Sequence, residues 1–88
     1  MSGQFTMDDL VEIMQTSIGL DDGVDLGGEH ADEQFTEIGY DSLALLELAA
    51  QIKHRFGVHI SDEAALDEMR TPREAVNYVN LQLTVEAV

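Results

Sequence analysis

With 88 residues, 44% of them hydrophobic, a single proline and no cysteine, the chain has room for one modest core. One domain spanning residues 1–88 is therefore expected, with neither a disulfide framework nor a thiolate metal site to reinforce it. Its 18 acidic residues against 4 basic ones give a formal net charge of -14, which argues against nucleic acid and anionic membrane as partners.

The opening MSGQFTMDDL has no basic stretch followed by an apolar one, and no later run approaches the length that crosses a bilayer. A soluble, cytoplasmic chain is expected. Lys53, Arg55, Arg70 and Arg73 are the only basic side chains, and residues 1–52 hold 12 carboxylates without one cation. Acidic surfaces keep small proteins soluble, but this distribution also suits a basic partner docking near mid-chain.

In TMDDLVEIMQTSIG, Thr6 can cap a helix whose first turn is acidic and whose apolar residues Met7, Leu10, Val11, Met14 and Ile18 recur at helical spacing. Gly19 ends it. The stretch LDDGVDLGGEHADEQFTEIGYD follows, with three glycines in residues 23–28 and no sustained period. So long a connection needs anchoring in so small a domain. Leu20, Val24, Leu26, Phe35 and Ile38 can pin it to the helices as a packed Ω-type loop.

The second helix is expected over Ser42–Phe56, with Leu45, Leu48, Ala49, Ile52 and Phe56 as its apolar stripe and Gly57 in the stopping position. VHISDEAALDEM reads as a short extended piece, then a cap at Ser61 or Asp62 and about two turns of a weaker third helix. TPRE opens the last helix, with Thr71 as cap, Pro72 in the first turn and Glu74 completing a capping box. Val76, Val79 and Leu83 then face the core. No strand pattern or repeat competes. The fold class is thus all-α, a bundle of three longer helices and one short one, with a long loop between the first two.

Ser42, beside Asp41 at the start of the strongest helix, invites a catalytic reading. A nucleophilic serine needs a base within hydrogen-bond reach, yet its neighbours one turn away are Ile38, Gly39, Leu45 and Leu46. GYDSL also lacks the second glycine and the strand of a nucleophile elbow. His30, His54 and His59 have no metal-type spacing. Asp21, Asp25, Glu29 and Asp32 do not fit a calcium loop either, because Gly23 and Leu26 stand where an acid and a glycine are needed. Neither catalysis nor metal binding is expected of the chain. Leu43 and Leu46 lie off the core stripe, so the serine opens a helix with apolar surface to spare. That surface is either a docking face or a wide core face.

IGYDSLALLELAAQIKHRFGVHIS resembles the attachment region of acyl carrier proteins, and GYDSLALLE resembles the discrete carriers of aromatic (type II) polyketide synthases. The likeness covers nearly the whole chain and implies an acyl-carrier-like bundle. It implies that Ser42 carries covalent 4'-phosphopantetheine beside Asp41, and that Asp41, Leu43, Leu46, Glu47 and Ala50 face partners. By the same resemblance, Arg73 and Asn80, seven residues apart on the last helix, are cargo contacts at a cleft mouth. The partners implied are a phosphopantetheinyl transferase, a ketosynthase/chain-length-factor pair, a malonyl transferase, and a ketoreductase, cyclase or aromatase, with the carrier a monomer. Two departures stand out. The helix ends KHRFG where many fatty-acid carriers stay acidic, and Ser61 stands where related carriers often have proline. A fatty-acid or aminoacyl carrier, or an acidic helical adaptor for a basic partner, remains the alternative.

Overall fold

A computed structural model describes residues 4–19, 28 and 30–86, the last two by backbone only. Helix α1, Met7–Ile13, begins at a reciprocal cap: the Thr6 hydroxyl accepts from the Asp9 amide at 3.1 Å and the Asp9 carboxylate accepts from the Thr6 amide at 3.0 Å. The chain then widens into a π turn over Met14–Ile18. The Thr16 hydroxyl donates to the Glu12 carbonyl at 2.9 Å, and Arg55 donates to that same hydroxyl at 3.2 Å. Gly19, at φ 99°, ends the helix and donates to the Met14 carbonyl at 2.7 Å.

The expected loop is helical at its far end, which corrects the sequence reading. Helix α2, Phe35–Ile38, is a single turn closed by Gly39. The Phe35 amide donates to the Arg70 carbonyl at 2.8 Å, and the Arg73 amide donates to the Ala31 carbonyl at 3.0 Å. Phe35 is fully buried and Ile38 packs partly against the core, as the anchoring argument requires. The proposed anchors Leu20, Val24 and Leu26 lie outside the described residues.

Helix α3 spans Ser42–Phe56, with Asp41 and Gly57 as its caps. Its apolar stripe buries Leu45, Leu48, Ala49 and Ile52, with Phe56 partly covered. Val58 and Ile60 then point inward while His59 is exposed, the alternation of an extended segment. Ser61, not Asp62, caps helix α4, Asp62–Asp67, by accepting from the Ala64 amide at 3.1 Å. Helix α5, Pro72–Glu86, opens with the Thr71 hydroxyl accepting from the Glu74 amide at 3.1 Å. The Glu74 carboxylate reaches back to the Arg70 amide at 3.3 Å, one residue earlier than a capping box places it.

Helix α1 packs on α5 and on α3, and α4 packs on α3. One hydrophobic cluster draws on every helix, and among the described residues no strand forms. Phe5, just ahead of the α1 cap, is fully buried and meets Phe56 edge to face at 5.0 Å. Its burial is worth roughly 1.5–3 kcal/mol.

Candidate functional site

Ser42 occupies the first turn of α3, and its side chain is exposed. Asp41 sets this geometry. Its backbone is extended, its carboxylate accepts from the Ala44 amide at 3.0 Å, and its carbonyl accepts from the Leu45 amide at 3.2 Å. The aspartate is engaged as a cap, and among the described residues the serine hydroxyl has no hydrogen-bond partner. Among the described residues no base is hydrogen-bonded to it. His54 stands about 18 Å further along the helix axis, and His30 pairs with Glu33.

Of the residues expected to face partners, Leu43, Leu46, Glu47 and Ala50 share one side of α3, while Asp41 sits at its cap. Asp41, Leu43, Glu47 and Ala50 are all exposed, and positions 43, 47 and 50 recur at helical spacing. Leu43, at 72% exposure, is the most open large hydrophobic among the described residues. Leu46 is half-buried and packs against the core, so it forms the edge between rim and interior. Glu47 accepts a hydrogen bond from Gln51 at 3.1 Å. Beyond it the helix ends in Lys53, His54 and Arg55, of which the lysine and arginine complement the negative end of its dipole.

Arg73 and Asn80 are not left open. The Arg73 guanidinium donates to Asp32 at 2.7 and 3.4 Å, and this hydrogen bond, followed by the charge of Asp32, raises its pKa above the usual arginine value. The Asn80 side-chain oxygen accepts from the Phe5 amide at 2.7 Å while its NH2 donates to the Phe5 carbonyl at 2.8 Å. Neither residue lines the two depressions between α4 and α5.

Sequence reasoning missed the α5 groove beside Leu81, although Glu74, Asn77, Tyr78 and Leu81 follow helical spacing and could have shown it. Among the described residues no group of three or more potential ligands could hold a metal ion. Asp21, Asp25 and Glu29 lie outside those residues. No described helix is long and apolar enough to cross a membrane.

Residues 8–79 match the family "Phosphopantetheine attachment site". The chain is 44% identical over 80 residues to the actinorhodin polyketide synthase acyl carrier protein of Streptomyces coelicolor, covering 91% of this chain and 92% of that one. It is 44% identical over 77 residues to the granaticin polyketide synthase acyl carrier protein of Streptomyces violaceoruber, covering 88% and 89%. Among solved structures it resembles the actinorhodin holo acyl carrier protein from S. coelicolor, with a TM-score of 0.80 at 44% identity and full coverage of both chains. The same values hold for a 3,5-dioxohexyl form of the actinorhodin carrier, a triketide mimic. The chain therefore belongs to the phosphopantetheine-attachment family, among the acyl carrier proteins of polyketide synthases, and phosphopantetheine is its prosthetic group.

Proposed function

We propose that this chain holds growing polyketide intermediates on phosphopantetheine attached to Ser42 and presents them to the enzymes of a synthase. The observation that carries this reading is an exposed first-turn hydroxyl with no hydrogen-bonded base among the described residues, in a chain of this family. A serine modified by another enzyme needs access and a docking face, and it needs no base of its own.

The residues at this position fit the group. The Ser42 and Leu43 amides begin α3 and have no acceptor among the described residues. They offer N–H donors, at the positive end of the helix dipole, to a phosphodiester. That offsets repulsion from Asp41, whose carboxylate is already turned onto the Ala44 amide. When bound, the group supplies a terminal thiol on a long arm, where an acyl chain is held as a thioester at high effective concentration.

The chain itself contributes recognition. Asp41 and Glu47 supply charge for a basic partner, and Leu43, Ala50 and the edge of Leu46 supply apolar contact. The partners of this face are the phosphopantetheinyl transferase, the ketosynthase/chain-length-factor pair, the malonyl transferase, and a ketoreductase, cyclase or aromatase. On this reading residues 1–88 are one non-catalytic domain acting as a monomer in the cytoplasm, supported by a single core shared by all helices. Of the two cargo candidates, Arg73 is the more accessible, because its ion pair is exposed and exchangeable. Asn80 can meet cargo only after releasing Phe5.

Incubation with a phosphopantetheinyl transferase and coenzyme A, followed by intact mass, tests the reading. The wild-type chain gains one phosphopantetheine adduct and Ser42→Ala gains none. An adduct on the alanine variant moves the site elsewhere, and no adduct on either leaves an acidic adaptor.

A further inference from the structure

Two shallow depressions flank Tyr78 where α4 faces α5. One, of about 310 Å³, is lined by Glu68, Glu74, Asn77, Tyr78 and Leu81. The other, of about 240 Å³, is lined by Ser61, Glu63, Ala64, Asp67, Glu68 and Tyr78. Neither includes a residue of α3, so this surface is distinct from the one around Ser42.

Its apolar character comes from α5. Ala75 and Val79 of that helix enter the core, whereas Glu74, Asn77, Tyr78 and Leu81 form another face at helical spacing. Leu81 is 59% exposed, and the half-buried Tyr78 ring stands beside it with a phenol that has no hydrogen-bond partner among the described residues. An aromatic body with a free polar tip next to an open aliphatic side chain is the composition of a contact surface.

Charge selects the occupant. Glu63, Asp67 and Glu68 have no ion-pair partner among the described residues, and Glu74 has Arg70 at 3.9 Å. A second copy of a chain carrying -14 is repelled here, as are nucleic acid and anionic lipid. We propose that the α4–α5 face is a second protein-docking surface. It takes a basic segment of a synthase enzyme that seats an aliphatic or aromatic side chain between Tyr78 and Leu81 while its cations meet Glu63, Asp67 and Glu68. The identity of the partner rests on the carrier reading above, whereas the surface itself does not.

The test titrates the unloaded, 15N-labelled chain with each purified enzyme: the transferase, the ketosynthase pair, the malonyl transferase and the ketoreductase. At least one should shift the amides of Asn77, Tyr78 and Leu81. Leu81→Ser and, separately, Glu68→Gln should weaken that enzyme's binding at least fivefold, with the Glu68→Gln effect shrinking as salt rises. Both positions are exposed, so the helical circular dichroism and the loading of Ser42 measured by mass should be unchanged. The proposal is overturned if no enzyme moves the α5 amides, or if Leu81→Ser weakens binding less than fivefold. A chain that fails to load at Ser42 but still shows the α5 response removes the carrier reading and keeps this surface.

Discussion

Asn80 holds both backbone polar groups of Phe5, accepting from its amide at 2.7 Å and donating to its carbonyl at 2.8 Å across 75 residues of sequence. The side chain ties the segment before α1 to α5 while the Phe5 ring enters the core. Asn80→Ala leaves two partly buried groups unpaired and should cost about 1–3 kcal/mol. In a domain of this size that lowers Tm by about 4–8 °C per kcal/mol. Urea unfolding of the variant checks it, and a midpoint equal to wild type would show the clasp to be dispensable.

The cap and the charge of Asp41 separate by substitution. Asparagine is as good an N-cap as aspartate, so Asp41→Asn should leave stability nearly unchanged, whereas Asp41→Ala should lose about 0.5–2 kcal/mol. Both should slow modification by the transferase if the carboxylate steers it. Equal loading rates for wild type and Asp41→Asn would confine Asp41 to its capping role.

Reversing Glu47 to lysine removes only an exposed bond to Gln51, so the fold should be unaffected. Transfer to the ketosynthase pair should slow through the association rate, with the difference fading above physiological ionic strength. Stopped-flow association at two salt concentrations measures it. A salt-independent defect would point to lost contact area in place of steering.

Cargo contact is best tested with Arg73→Ala alone, because loss of Asn80 also loosens Phe5. Its guanidinium lies on the surface with Asp32, so removal should leave the helices intact. Chemical shifts of a chain loaded with a polyketone mimic should respond to the substitution more than those of an equally long saturated chain. Identical responses would remove Arg73 from the cargo.

Helix α3 was legible because the stripe from Leu45 to Phe56 and the stop at Gly57 agree, and Asp41 supplies the cap in the structure. The rim of Asp41, Leu43, Glu47 and Ala50 was expected from the family resemblance, while the stripe alone left Leu43 and Leu46 open between docking face and core. Leu46 was half legible: one helix position serves both core and rim. Helix α2 escaped because four residues are too few to display a period, and its position depends on a bond from Phe35 to the distant Arg70 carbonyl. The π turn carries Thr16, which Arg55 reaches from a distant position in the sequence. Phe5 stands alone ahead of a cap, with no neighbours to mark it as core.

The few cations of this chain are largely occupied: Arg55 with Thr16, Arg70 with Glu74 and Arg73 with Asp32. A chain with a net charge of -14 then attracts any basic enzyme, right or wrong. Such a field governs how often enzymes arrive and carries little information about which should stay. On the proposed carrier role, discrimination would fall to short-range fit at uncharged positions such as exposed Leu43 and the edge of Leu46, where a partner of the wrong shape gains nothing from the attraction that brought it.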